Sequence, residues 1–85
     1  MAEYQITIAR SAVKELEALP STVIERVRER IRSLATDPRP SGSKKLHGRS
    51  GWRVRIGDYR VLYEIDDAAH EVDVGAIRHR SSAYD

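Results

Sequence analysis

A chain of 85 residues is long enough for one compact domain and too short for two, because two separate cores would bury too little apolar surface to offset chain entropy. The absence of cysteine excludes a disulfide framework and a thiolate metal site. No segment reaches the roughly 18 apolar residues of a membrane span or shows the apolar core of a signal peptide, so we expect residues 1–85 to form a single cytoplasmic domain with no membrane partner.

The first part of the chain predicts a strand followed by two helices. Residues 4–8 alternate apolar and polar side chains, which is the period of a strand with one buried face. Residues 11–19 place apolar side chains at three-residue steps before a proline, so we predict a short helix capped by Ser11. Residues 21–34 carry an apolar stripe of helical period and predict a second helix, capped by Ser21.

The second half predicts a loop and three antiparallel strands. Residues 37–51 combine prolines, glycines and serines, a composition that favours a loop. Period-two alternation returns at Trp52 and continues to Val74, interrupted by Gly57-Asp58 and by the polar segment 66–70. The predicted order is β-α-α-β-β-β, an α+β fold in which a two-helix hairpin packs on one face of an antiparallel sheet.

Charge is distributed unevenly, although the net charge is only +2. Residues 44–60 contain six Lys and Arg against one Asp, whereas residues 61–77 contain five Asp and Glu with no Lys or Arg. A local cationic block can attract a polyanion such as RNA even when the overall charge is small. A charged surface exposed to water is the alternative explanation of this pattern.

The hairpin around Gly57-Asp58 predicts where the arginines lie. If these two residues form the turn, Arg55 pairs with Arg60, and both project with Arg53 from the face opposite the apolar residues. Like charges directly opposite each other destabilise a sheet by a few tenths to about 1 kcal/mol per pair. Because local conflicts of this kind often mark functional sites, we predict a functional cationic face, with neutralisation by nearby carboxylates or by the loop as the alternative.

The sequence resembles the RelE branch of the RelE/ParE toxin superfamily of bacterial and archaeal toxin–antitoxin systems. The opening strand and helices, the segment KKLHGRSGWRVRIGDYRVLYEI at residues 44–65 and the segment VGAIRHRSSAY at residues 74–84 carry the resemblance. That family has two alternate basic residues after the loop, then a Tyr-Arg pair, then an arginine followed by a tyrosine. The matching positions are Arg53, Arg55, Tyr59, Arg60, Arg78 and Tyr84.

The resemblance implies cleavage of messenger RNA at the ribosomal A site, with no metal or other cofactor. Such a reaction deprotonates the ribose 2′-hydroxyl, stabilises the scissile phosphate and protonates the leaving 5′-oxygen, which yields 2′,3′-cyclic or 3′-phosphate ends. We predict that Tyr84 is the general base, that Arg55 and Arg60 bind the phosphate, and that Arg78 stabilises the leaving oxygen. The residues predicted to bind RNA or the ribosome are Lys44, Lys45, Arg49, Arg53 and Arg80.

Two details of this site stay open. Counting alternate residues from Val74 places Arg78 on the apolar side, unless the last strand ends or bulges near Gly75. His79 is an alternative acid or base, because imidazole titrates near neutral pH, although a surface histidine is the simpler interpretation. The spacing of the histidines does not indicate a zinc site.

The resemblance also implies a partner and a second possible target. We expect a cognate antitoxin with an acidic or amphipathic segment, in a complex that can be of higher order. A ParE-like toxin of similar fold would act on DNA gyrase instead of RNA. A catalytically inert module that binds RNA or the antitoxin is the third possibility.

Overall fold

The computed structural model describes residues 3–48 and 50–80. Within them, two helices lie on one face of a five-stranded sheet with the strand order β1-β5-β4-β3-β2. The elements are β1 (Gln5–Ile8), α1 (Arg10–Glu17), α2 (Ser21–Ser33), β2 (Lys44–Lys45), β3 (Trp52–Ile56), β4 (Tyr59–Asp66) and β5 (Glu71–His79). The predicted α+β architecture is confirmed.

The predicted antiparallel sheet is corrected to a mixed one, because β1 pairs with β5 in parallel, whereas the other neighbouring strands are antiparallel. The segment 37–51, predicted as loop throughout, contributes the two-residue strand β2, which pairs with the start of β3. Arg49 of this segment lies outside the described residues. The chain therefore gains a short edge strand where its composition indicated only a loop.

The helices begin without the predicted serine caps. The N-cap residues are Ala9 and Pro20, and neither helix start has a side-chain capping hydrogen bond. Ser11 and Ser21 lie inside the helices as helical residues. At the second helix, the backbone carbonyl of Pro20 accepts from the amides of the third and fourth residues after it, so the first turn closes on the backbone.

The hydrophobic core lies between the helices and the sheet face that they cover. The largest fully buried side chains are Val27, Leu34, Val54, Val61, Tyr63, Val72 and Val74. Each such aliphatic side chain contributes roughly 1.5–3 kcal/mol relative to leaving it exposed. The Tyr63 hydroxyl donates to the Pro38 carbonyl at 2.7 Å, which fastens the segment after α2 to the core. No helix in the described part of the chain is long and apolar enough to cross a membrane.

Candidate functional site

Three arginines lie side by side on the sheet face that the helices leave uncovered. Arg55 of β3 pairs with Arg60 of β4, and Arg60 pairs with Arg78 of β5. Neighbouring strands are about 4.8 Å apart, so the three Cα atoms span only about 10 Å. The predicted register of the β3–β4 hairpin is confirmed, with Gly57 adopting a φ of 59° in the turn. We call Arg55, Arg60 and Arg78 the arginine row.

A β-bulge puts Arg78 into this row. Leu62 pairs with Ala76 and Tyr63 pairs with Val74, so Gly75 is an extra residue without a partner of its own in the register. One extra residue reverses the alternation of the side chains that follow it. The two valines before the bulge therefore face the core, and Arg78 faces the cationic side. The extra residue Gly75 therefore decides which face of the sheet Arg78 lies on, a point that the sequence left undecided.

A cleft of about 500 Å³ opens beside the turn of the β3–β4 hairpin. Among the described residues that line it, Asp58 carries the one carboxylate, and its Oδ1 atom lies 3.8 Å from the Arg80 Nε atom. The Asp58 carbonyl also accepts from the Arg80 amide at 2.7 Å, which holds the end of β5 against the turn. The residues that line the cleft are Arg55, Gly57, Asp58, Tyr59, Arg60 and Arg80.

This combination of groups is suited to a phosphodiester. Guanidinium groups are planar and keep their charge, and they can donate two parallel hydrogen bonds to phosphate oxygens. Arg55 and Arg80 are exposed, Arg60 is half-buried, and the Nε atom of Arg60 is inaccessible to solvent. The cleft can therefore hold a polyanion against an ordered set of cations, which is the requirement for electrostatic stabilisation of a charged transition state.

Arg78 has a carboxylate neighbour that the sequence did not reveal. The Glu15 Oε2 atom, from α1, accepts a hydrogen bond from the Arg78 Nη1 atom and forms an ion pair with it. The other carboxylate oxygen, Oε1, accepts from the backbone amide of Ile77 at 2.8 Å. Both side chains are partly exposed, at 40% for Arg78 and 32% for Glu15. Helix α1 is thereby joined to one end of the arginine row.

The remaining predicted site residues are not all on the same side of the sheet. Arg53 is only 7% exposed, and Lys44 pairs with it on the cationic face. Lys45 pairs with Trp52, so register places it on the helix side. His79 pairs with Tyr59 on that side too, and their ring centroids are 5.2 Å apart in an edge-to-face arrangement. Arg49 and Tyr84 lie outside the described residues.

The opposite end of the same sheet face is acidic. Glu64 pairs with Asp73, and Asp66 pairs with Glu71. The cationic and anionic blocks of the sequence therefore occupy opposite ends of one surface. A phosphate chain is attracted to the arginine row and repelled by the carboxylates, which limits where a polyanion can cross the sheet.

A second basic groove adjoins the cleft and was missed by the sequence reasoning. It measures about 560 Å³, and its lining combines Arg26 and Arg30 of α2 and Arg55 of the hairpin with one carboxylate, that of Glu29. No role was predicted for the arginines of α2. Their spacing of four residues, which puts them on one side of a helix, was the available signal.

Comparison with known proteins identifies the family. The sequence model described as "ParE toxin of type II toxin-antitoxin system, parDE" matches residues 6–84. Toxin RelE of Mycobacterium tuberculosis is 32% identical over 83 residues, which cover 95% of this chain and 86% of the relative. This chain belongs to the RelE/ParE family of type II toxins.

Solved structures agree with this assignment. The RelE–RelB complex of Pyrococcus horikoshii OT3 contains a chain with a TM-score of 0.84 and 29% identity, covering 95% of this toxin and 99% of that chain. The RelBE2 toxin–antitoxin complex of M. tuberculosis contains one with a TM-score of 0.80 and 28% identity, covering 92% and 99%. The two-helix, five-stranded architecture is therefore that of the RelE toxins.

Away from the arginine row, the toxin has a second polar cluster that joins the segment after α2 to the β4–β5 turn. Arg39 donates to both oxygens of Asp67, at 3.2 and 2.8 Å, and its guanidinium carbon lies 5.2 Å from the Trp52 ring centroid. Hydrogen bonds from Arg39, and then from Tyr4, lower the pKa of Asp67 to about 2. The hydrogen bond to Asp67 raises the pKa of Tyr4. This cluster holds the loop that leads to β2 against the β4–β5 turn.

Proposed function

We propose that this type II toxin is an endoribonuclease that cleaves messenger RNA in the ribosomal A site and thereby arrests translation. The observation that carries the proposal is the arginine row, in which three like charges lie on adjacent strands beside an open cleft. A row of this kind costs stability within the sheet and is stabilised when phosphate oxygens approach it. Such a row beside an open cleft is therefore suited to an anionic substrate.

In the proposed reaction, the scissile phosphate lies between Arg55 and Arg60. Their guanidinium groups donate to its non-bridging oxygens and stabilise the extra charge of the transition state as the 2′-oxygen attacks. The bond from phosphorus to the 5′-oxygen then breaks, and the leaving oxygen takes its proton from water. Arg78 stabilises the negative charge on that oxygen, a role suited to a group that stays charged under ordinary conditions. Arg80 and the basic groove of α2 orient the rest of the RNA backbone, whereas Arg53, only 7% exposed, contributes its positive charge rather than a direct contact.

Tyr84 is the proposed general base that removes the 2′-hydroxyl proton. Arg80, which lines the cleft, is four residues before it in the sequence. Four extended residues span at most about 14 Å, so the cleft is within reach of Tyr84. A free tyrosine has a pKa of about 10, so this role requires that cations of the cleft favour the phenolate form of Tyr84. The proposed products carry 2′,3′-cyclic phosphate or the 3′-phosphate derived from it.

No metal ion takes part in this proposal. The arginines supply the charge that a divalent cation supplies in other nucleases. The cytoplasm, where ribosomes translate, is the proposed place of action. The cognate antitoxin is the proposed protein partner, with an acidic or amphipathic segment that competes with RNA for the cationic face. The assembly of the two related toxins with antitoxins supports this partner.

The test uses programmed ribosomes with end-labelled messenger RNA, and parallel reactions without ribosomes. Wild type should cut within the A-site codon only when ribosomes are present, and Arg60→Ala and Tyr84→Phe should each reduce the rate by at least about a hundredfold. Arg32→Gln, which removes an arginine from the far side of α2, is the matched control and should cut normally. Intact messenger RNA with wild-type toxin would refute the proposal.

Two modified RNA substrates test which group attacks the phosphate and whether a metal ion takes part. A 2′-deoxy nucleotide at the cleavage position should abolish cutting, because it lacks the attacking hydroxyl. A sulfur atom in place of a non-bridging phosphate oxygen weakens binding to Mg²⁺ and leaves room for rescue by Mn²⁺ in a metal-dependent reaction. Rescue by Mn²⁺ would contradict the metal-free mechanism, whereas we expect none.

Gyrase is the alternative target, because the family model that matches this chain is that of ParE toxins. The distinguishing experiment expresses the toxin in a sensitive host and follows messenger RNA integrity and plasmid supercoiling together. Intact messenger RNA with impaired supercoiling would favour gyrase. Normal growth would favour an inert binding module. Rapid loss of messenger RNA with normal supercoiling is the expected result.

A further inference from the structure

We infer that Glu15 is a positioning residue that holds Arg78 at the end of the arginine row. The catalytic part of this inference rests on the proposed function, in which Arg78 stabilises the leaving oxygen. Glu15 lies on α1, outside the sheet that carries the row. It acts on the reaction through Arg78.

The backbone around β5 explains why a carboxylate is needed at this place. β1 pairs only with Glu71–Val74, and the chain then turns away through Ala9, whose amide donates to the Val74 carbonyl at 2.9 Å. Beyond that point, no strand of the described residues lies along the outer edge of β5. Glu15 takes the place of one, because its Oε1 atom accepts from the Ile77 amide at 2.8 Å.

The second oxygen of Glu15 sets the position of the arginine. Oε2 accepts from Arg78 Nη1, and the same Nη1 atom lies 3.4 Å from the Ile77 carbonyl oxygen. The carboxylate thus binds the backbone of one residue and the side chain of the next. Among the described residues, the contacts of the guanidinium all use Nη1, which leaves the Nη2 and Nε donors for a substrate oxygen.

The ion pair between Glu15 and Arg78 also restricts where the Arg78 side chain lies. Arg78 pairs with Arg60, whose positive charge favours conformations of Arg78 that turn away from the row. A long arginine side chain has many such conformations. The negative charge of Glu15 opposes this tendency at the outer end of the row. Arg78 is then already in place when the transition state forms, and the reaction does not wait for its side chain to order.

Glu15→Gln separates positioning from structure. The glutamine oxygen can still accept from the Ile77 amide, so the edge of β5 stays closed while the ion pair with Arg78 is lost. We expect kcat on programmed ribosomes to fall about tenfold with KM within twofold, because Arg78 acts in the transition state and substrate binding rests on other cations. Glu17→Gln, an exposed change on the same helix, should leave both constants unchanged.

A double-mutant cycle shows whether the effect passes through Arg78. In an Arg78→Ala background, measured in single turnover below the unfolding transition of the least stable variant, Glu15→Gln should change the rate by less than twofold. An equal tenfold loss in both backgrounds would overturn the inference. So would a Glu15→Gln variant with the wild-type kcat, because the structural contact to Ile77 alone would then account for Glu15.

A second readout does not depend on cleavage. In ¹H–¹⁵N NMR spectra of the full-length toxin, a guanidinium held by a carboxylate rotates slowly about its Nε–Cζ bond and gives separate Nη signals. We expect separate signals for Arg78 in wild type and merged signals in Glu15→Gln, with the Ile77 amide shift retained. Identical Arg78 signals in both proteins would refute positioning. If wild type shows the expected spectra but leaves messenger RNA intact, the proposed function fails and the positioning of Arg78 stands.

Discussion

Replacing Arg55 with glutamine should make the toxin more stable and less active. Arg55 is exposed and pairs with Arg60, so the change removes one like-charge pair from the sheet. β2 pairs only with the first two residues of β3 and does not reach Arg55, which leaves Arg60 as its one cross-strand neighbour in the described sheet. The same guanidinium is one of the two proposed to bind the scissile phosphate.

The magnitude follows from this single pair. A cross-strand like-charge contact costs roughly 0.2–1 kcal/mol, and 1 kcal/mol shifts the melting temperature of a domain this small by about 4–8 °C. Arg55→Gln should therefore melt between about 1 and 8 °C higher than wild type. On programmed ribosomes, the loss of a charged hydrogen-bond donor to phosphate should slow cleavage by about tenfold or more.

Arg32→Gln is the matched control for the melting experiment. Arg32 has its Nη2 atom 3.7 Å from a Glu29 oxygen and 3.9 Å from a Glu25 oxygen on α2. Because it removes favourable pairs worth about 0.2–0.5 kcal/mol each, this variant should melt slightly lower than wild type. Two equal losses of positive charge should thus shift the melting temperature in opposite directions.

Salt dependence identifies the cause. At 1 M KCl the Debye length is about 3 Å, so repulsion between the two arginines is strongly screened. The gain in melting temperature of Arg55→Gln, measured by differential scanning calorimetry, should shrink towards zero as salt is added. A lower melting temperature than wild type, or a gain that salt does not change, would show that repulsion in the arginine row is not the reason.

Three further changes probe other parts of the molecule. Tyr63→Phe leaves the buried Pro38 carbonyl without its donor and should lower the free energy of unfolding by about 1–3 kcal/mol in urea titrations while cleavage is retained; an unchanged midpoint would contradict this hydrogen bond. The pKa of Asp67 is lowered from 3.8 to about 2 by hydrogen bonding, first from Arg39, so its contact stabilises the fold above about pH 4 and is lost as the pH falls towards 2. Asp67→Asn should therefore flatten the melting temperature between pH 4 and 2, and a slope equal to that of wild type would exclude this contact as its source. Arg26→Gln should reduce the slope of log affinity against log salt for single-stranded RNA by about 0.7, whereas the control Arg32→Gln should keep the wild-type slope.

Local pattern was sufficient for most of the fold. Alternation and helical period indicated both helices and every described strand except β2, because a side chain that repeats every two or every three to four residues lies on one face whatever surrounds it. The turn at Gly57-Asp58 was sufficient for the β3–β4 register, and hence for placing Arg55 opposite Arg60. The predicted serine caps were wrong because capping depends on the backbone at the helix start. At the start of α2, the carbonyl of Pro20 is the acceptor.

The sequence by itself determined the α+β class, the cationic face and the resemblance to RelE toxins, since these depend on composition and on residues close together in the chain. Tertiary structure alone decided which side Arg78 faces, because the one-residue bulge at Gly75 appears only when β5 pairs with β4. It alone joined Glu15 to Arg78, which are 63 residues apart in sequence, through the packing of α1 at the open edge of β5. Contacts between distant segments leave no periodic trace in a sequence, and the assembled sheet is what brings them together.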